Sequence, residues 1–202
     1  MVIVMASADL LSDLGLFVRS EFLAPDECSA LKDQLRSSQQ RQAGAVLDGS
    51  RLVVDEMTRR AAEVSVPQET TAAITARLGT LRPELAAYFG KTLTSVRKPR
   101  FLAYGPADHF IFHRDRDDSP DEPQEVSVRK VSAVVFVNDW RDYRGGALQF
   151  YARDLSPDSG LPEGKVSLDP EAGTLVAFDP HARHQVQPVR SGTRFTIVTW
   201  FI

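Results

Sequence analysis

Cysteine is nearly absent: Cys28 is the single example in 202 residues. A lone thiol excludes an internal disulfide and a cysteine-rich zinc site, and it favours a cytoplasmic address, where thiols stay reduced. Long apolar runs are also missing, so no helical membrane span is expected, since one needs about twenty such residues. The apolar start, Met1 to Met5, is too short for a span and lacks the basic lead of a secretory signal. Positive charge is not in excess. Lys and Arg total 24 against 27 Asp and Glu, a formal net charge of −3, which offers no basic face to a nucleic-acid partner. Repeats and low-complexity tracts are lacking too. What is present, 43% hydrophobic and 25% charged residues, is ordinary for a globular protein, and the length favours one domain over residues 1–202.

The two halves differ in character. Residues 1–95 read as a helical support region. Leu16 to Leu23 suits a strand running into a helix that begins at Pro25-Asp26-Glu27, where proline and acids are both at home. Residues 40–50 carry loop chemistry, and Arg51 to Asp55 reads as a short strand. Ser65 to Leu78 and Leu81 to Phe89 read as two helices stopped by Gly79 and Gly90. Beyond Gly90, the segments 97–104, 109–113, 128–137, 147–152, 165–168, 174–178, 184–189 and 193–201 are short and rich in β-branched and aromatic residues. Turn signals separate them, among them Gly145-Gly146, Pro157 to Gly164 and Ser191-Gly192. This spacing predicts an antiparallel sandwich or barrel over 96–202, with helices on one outer face.

Two groups of residues carry chemistry. In His113-Arg114-Asp115 an extended chain points the imidazole and the carboxylate to the same side. His184 opens a later strand, and Arg194 lies on the next one, across Ser191-Gly192. Two imidazoles and one carboxylate make a face that leaves metal positions open, the arrangement of non-haem Fe(II) oxygenases. Arg194 offers a planar two-pronged donor for a carboxylate. Thr196 shares its strand parity and can assist. Singly, each of these residues is more often structural; their order on an all-β background is what points to a site.

Residues 100–202 resemble the catalytic core of the prolyl 4-hydroxylase-like Fe(II)/2-oxoglutarate dioxygenases. The likeness runs through Tyr104, His113-x-Asp115, Arg129 to Trp140, Gly145-Gly146-x-Leu148, Gly173-x-Leu175-x-x-Phe178, His184-x-Val186-x-Pro188-Val189 and Gly192-x-Arg194. The resemblance implies a mainly β fold with flanking helices, built on a double-stranded β-helix (jelly-roll, cupin-like) core. It implies Fe(II) held by His113, Asp115 and His184, with Arg194 on the far carboxylate of 2-oxoglutarate. It also implies consumption of O2, release of succinate and CO2, and hydroxylation of an unactivated C–H bond, with ascorbate as a candidate reductant. The substrate classes it leaves open are an amino-acid-like molecule, a peptidyl-prolyl residue and a small natural product. The family pattern selects His184 over the nearby His181. Tyr104 matches a position whose phenol bonds the co-substrate, and Arg129 a basic position near the substrate entrance.

The chain departs from the family at Phe136, where some relatives carry a second co-substrate tyrosine, and at Ala107, where glycine is common. Asp115 is retained, which favours hydroxylation over halogenation. His109 shares strand parity with His113, which would turn it toward the same cavity, but it reads mainly as a structural residue. The acidic stretch 116–125 is expected to be a solvated loop, with a lid over the site as its functional reading. Two rival functions stay open: a cupin-like metal enzyme that does not use 2-oxoglutarate, and a non-catalytic binding module on the same fold.

Overall fold

The structure is a computed structural model, and it describes residues 2–3, 11–12, 14–48, 51–155 and 164–202. The expected turn at 157–163 lies outside the described residues.

The first half supplies β1 (Val2–Ile3), β2 (Phe17–Arg19), α1 (Pro25–Ser37), β3 (Arg41–Ala43), β4 (Val46–Asp48), β5 (Arg51–Val53), β6 (Arg59–Arg60), β7 (Ala62–Val64) and α2 (Gln68–Phe89). The second half begins with β8 (Arg100–Tyr104), β9 (His109–His113), α3 (Gln124–Ser127), β10 (Val131–Phe136), β11 (Tyr143–Gly145), β12 (Leu148–Tyr151) and α4 (Ala152–Leu155). It ends with β13 (Lys165–Leu168), β14 (Leu175–Phe178), β15 (His184–Val186), β16 (Val189–Gly192) and β17 (Arg194–Phe201). The two main sheets run β2-β14-β10-β17-β8-β7-β3 and β1-β13-β12-β15-β9-β6, and their pairings are antiparallel apart from the β1–β13 edge. This is the double-stranded β-helix with flanking helices that the motifs imply.

Period-two alternation decides what each face of the larger sheet meets. Phe101, Ala103, Val131, Ala133, Val135, Phe195 and Ile197 pack outward against Leu31 and Leu35 of α1 and Ile74, Leu78, Leu81 and Leu85 of α2. Each fully buried leucine contributes about 1.5–3 kcal/mol. The alternate residues face inward. Val134, Phe136, Val176 and Phe178 meet Leu148, Phe150 and Val166 of the smaller sheet. The last strand, β17, lies between β10 and β8, as its apolar content predicts.

Three expectations change. Residues 68–89 form one helix rather than two, with Gly79 and Pro83 inside it. The stripe Ile74, Leu78, Leu81, Leu85 is continuous across Gly79, and its burial outweighs a glycine cost of about 1 kcal/mol. Residues 40–50, read as loop, contain β3 and β4. β3 is an exposed edge strand, Arg41-Gln42-Ala43, held by backbone pairing to β7, so no hydrophobic pattern announces it. The support region is also less helical than expected: β2, β3 and β7 extend the larger sheet, and β6 extends the smaller.

Candidate active site

The inward faces of the two sheets enclose a cavity of about 350 Å³ lined by Tyr104, Phe110, His113, Asp115, His184 and Arg194, among others. The smaller sheet brings the imidazoles. His113 ends β9 and is the direct partner of His184 at the start of β15, with ring centroids 4.2 Å apart. Asp115 follows β9, where its backbone N–H donates to Pro180 O at 2.9 Å. Its Oδ1 lies 3.8 Å from His113 Nε2 and its Oδ2 3.8 Å from His184 Nε2. One ligand atom from each of the three falls within 4.8 Å of the others. The residues that the sequence pairs across a long separation do meet.

Local hydrogen bonds prepare these groups as ligands. His113 Nδ1 donates to Ile111 O and His184 Nδ1 to Ala182 O, both at 2.9 Å. A carbonyl can only accept, so the proton sits on Nδ1 and the Nε2 lone pair is left for a metal. Burial, helped by the neighbouring His184, lowers the pKa of His113 to about 3, so the ring is neutral near pH 7. For Asp115, burial opposes ionisation, but His184, His113, the Ser132 hydroxyl and Arg129 outweigh it and hold the carboxyl below its ordinary value. Ser132 Oγ donates to Asp115 Oδ2 at 2.6 Å. Two imidazoles and one carboxylate are a donor set that suits a ferrous ion.

The larger sheet brings the guanidinium. Arg194 on β17 pairs directly with Tyr104 on β8 and is 1% exposed. Its Nη1 reaches Thr196 Oγ1 at 3.4 Å, and its Nε and Nη2 are buried with no partner among the described residues. The Tyr104 and Phe136 rings lie 5.3 and 4.9 Å from its carbon. A buried cation with unsatisfied donors is costly, and a bidentate carboxylate is the ligand that satisfies it. Phe136 thus lines the guanidinium with an apolar ring. Gly146 (φ +71°) makes this seat possible, because a Cβ there would stand 3.0 Å from Arg194 Cδ.

The remaining candidates fall as follows. Arg129 lies on the cavity wall, with Nη1 donating to Asp115 O at 2.9 Å and its guanidinium over Trp200 at 3.9 Å. His181 is outside the donor cluster. Its Nδ1 meets Asp179 at 2.8 Å and its Nε2 meets Asp118 at 2.9 Å, so it ties the acidic stretch to the β14–β15 loop. His109 bonds the carbonyls of Ala107 and Met57 and does not line the cavity. The parity argument fails at that residue because β9 carries an extra residue: His113 and Phe110 oppose His184 and Val186, three steps against two. This bulge turns Phe110, rather than His109, toward the site.

Sequence reasoning passed over Tyr143 and Asp169. The Tyr143 hydroxyl is 3.1 Å from Asp169 Oδ1, and burial pushes both pKa values up, with Arg194 acting the other way on each. The signal available was the position of Tyr143 just before Gly145-Gly146. Residues 116–125 are less free than an ordinary solvated loop: Ser119, Asp121 and Glu122 line the cavity, Glu122 Oε1 accepts from Asp117 N at 2.9 Å, and Asp117 Oδ1 from Ser119 N at 3.0 Å.

Comparisons agree with this architecture. The chain is 25% identical over 187 residues to a PKHD-type hydroxylase of Alteromonas mediterranea, covering 92% of this chain and 77% of the relative. It is 34% identical over 107 residues to a PKHD-type hydroxylase of Hyphomonas neptunium, covering 52% of this chain and only 43% of that relative. The fold is similar to a crystal structure of a Pseudomonas putida prolyl-4-hydroxylase, with a TM-score of 0.72 at 22% identity over 96% of this chain and 95% of that one. No helix among the described residues is long and apolar enough to cross a membrane. The family model described as 2OG-Fe(II) oxygenase superfamily matches residues 99–202, the span that carries both histidines, Asp115 and Arg194, and the chain therefore belongs to that superfamily.

Proposed function

We propose that this protein is an Fe(II)- and 2-oxoglutarate-dependent hydroxylase acting on an unactivated C–H bond of an amino-acid-like, peptidyl-prolyl or small natural-product substrate. The observation that carries the reading is the convergence of three ligand atoms within 4.8 Å in the same cavity as a buried guanidinium with two unpartnered nitrogens. Residues 1–202 act as one unit in this reading, with 1–95 supporting 96–202, and a cytoplasmic address fits the lone cysteine.

His113, Asp115 and His184 hold the metal. Arg194 takes the distal carboxylate of 2-oxoglutarate, and Tyr104 and Thr196 stand beside it on the same inward faces. When bound, ferrous iron with 2-oxoglutarate and O2 supplies the oxidising power for hydroxylation, and succinate and CO2 leave. The chain's part is placement and exclusion. Arg194 is fully desolvated, so its pairing with a carboxylate is far stronger than it would be in water. The apolar side chains Leu102, Val134, Leu148, Val186 and Val198 wall the cavity and keep bulk water from the reacting atoms. Arg129 contacts the substrate at the cavity wall, and 116–125 serves as its lid. A cupin-like enzyme without 2-oxoglutarate would leave the buried Arg194 with no purpose.

The test is succinate release dependent on Fe(II), 2-oxoglutarate and O2. Arg194→Ala is expected to raise the 2-oxoglutarate requirement by at least tenfold while Fe(II) binding persists, because a charge-assisted bidentate pair contributes more than 1.4 kcal/mol. Unchanged 2-oxoglutarate dependence in that variant would count against the assignment.

A further inference from the structure

Two charged side chains on the cavity wall, Arg59 and Glu122, each keep a buried polar atom with no hydrogen-bond partner among the described residues. Arg59, on β6, lines the cavity and is only 5% exposed. Its Nη1 donates to Ala45 O at 3.1 Å, and its Nε is buried with no partner among the described residues. Its guanidinium lies 4.9 Å over the Phe110 ring, which stacks on His113 at 3.5 Å. The arginine is thus one aromatic ring away from the metal-binding cluster. Glu122, in the loop after Asp115, also lines the cavity, and its side chain is 5% exposed. One oxygen accepts from Asp117 N. The other, Oε2, is buried without a hydrogen bond and has only Arg116 Nε at 3.8 Å.

A buried charged group with an atom left unpaired is unfavourable. Here a buried cation and a buried anion, each with spare hydrogen-bonding capacity, come from different elements onto one cavity. A ligand with a carboxylate and an ammonium satisfies both at once. A residue within a peptide presents neutral amides at those two places, which leaves Arg59 with no counter-charge and Glu122 Oε2 with no hydrogen-bond donor, Arg116 Nε standing 3.8 Å away. About 350 Å³ is at the small end for ligand pockets and must also take the co-substrate, which leaves room for a molecule of amino-acid size.

We propose that Arg59 and Glu122 form the two poles of a zwitterion subsite, and that the substrate is a free α-amino acid whose carboxylate pairs with Arg59 and whose ammonium pairs with Glu122. This rests on the oxygenase reading and narrows it. The amino acid's own side chain is then the part presented to the metal-binding cluster. Arg59 and Glu122 set specificity; they do not take part in the oxidation.

The experiment is a calorimetric titration of the protein loaded with Fe(II) and 2-oxoglutarate under nitrogen. The probes are the free proteinogenic L-amino acids, each beside its carboxamide and its N-acetyl derivative, with proline-containing peptides as a further arm. Succinate release is then measured in air with the same compounds. At least one free amino acid is expected to bind and stimulate succinate release, with its amide and N-acetyl forms at least tenfold weaker. Arg59→Gln should erase the preference for acid over amide, and Glu122→Gln, which keeps an oxygen to accept from Asp117 N, should erase that for amine over N-acetyl. A change that only loosened the fold would weaken all forms alike. Equal binding of acid and amide, turnover with peptides alone, or no binding of any free amino acid overturns the proposal. The loading itself, followed as a titration of the Fe(II) protein with 2-oxoglutarate before any amino acid is added, reports separately on the oxygenase reading, which fails if the wild-type protein does not take up 2-oxoglutarate.

Discussion

Phe110 lies face to face on His113, with ring centroids 3.5 Å apart and planes 12° from parallel. Regular alternation would put residues 110 and 113 on opposite sides of β9, and the bulge in the β9–β15 pairing brings them together. The imidazole is therefore fixed twice, by the ring on its face and by Ile111 O at Nδ1. Phe110→Ala removes the first of these. Aromatic pairs contribute about 0.5–1.5 kcal/mol beyond burial, so Fe(II) affinity is expected to fall by up to about tenfold, measured by equilibrium titration under nitrogen. Unaltered affinity would mean that the stack does not position the ligand.

Ser132 acts on the third ligand. Its hydroxyl donates to Asp115 Oδ2 at 2.6 Å from an inward-facing position on β10. Partners that orient metal ligands typically affect affinity by about 10–100-fold. Ser132→Ala should weaken Fe(II) binding within that range and leave thermal stability little changed, because the replacement is small and suits a buried strand. Dialysis against graded Fe(II) would detect the loss.

Ala107 carries a backbone strain that glycine would relieve. Its φ is +70°, in the left-handed region, while its N–H donates to Val189 O at 2.8 Å. A side chain there costs roughly 1–2 kcal/mol, partly offset because glycine gains freedom on unfolding, by about 0.4–1 kcal/mol. Ala107→Gly should stabilise the fold by about 1 kcal/mol at most, a rise of a few degrees in Tm for a chain of this size. A lower Tm would contradict the strain argument.

The catalytic half was the more legible. Its strands are apolar, short and separated by glycine turns, so the pattern and the pairing coincide at 100–104, 109–113 and 194–201. His113 and Asp115 could be paired because an extended chain points residues i and i+2 to one side, whereas His184 and Arg194 were singled out by the family resemblance. Where the ladder is irregular the same rule misleads: strand parity alone would turn His109 toward the cavity, whereas the bulge in β9 turns Phe110 there and leaves His109 in the structural role its residue type suggests. The exposed strand Arg41–Ala43 was missed because edge pairing rests on backbone hydrogen bonds, which leave no residue pattern. The division of α2 at Gly79 was wrong because local propensity carries no knowledge of the sheet beneath. Arg59, Ser132 and Tyr143 were invisible for another reason. Each matters through a partner remote in sequence, and no short motif encodes such a meeting.

The measurement closest to the central claim is the weak visible absorption that develops when Fe(II) and 2-oxoglutarate bind together under nitrogen. It should appear in the wild-type protein and in His181→Ala, whose ring sits outside the donor cluster between Asp179 and Asp118. It should be lost in His184→Ala, whose Nε2 faces Asp115 at 3.8 Å. Equal absorption in the two histidine variants, or its loss in His181→Ala alone, would contradict the assignment of His113, Asp115 and His184 as the metal site.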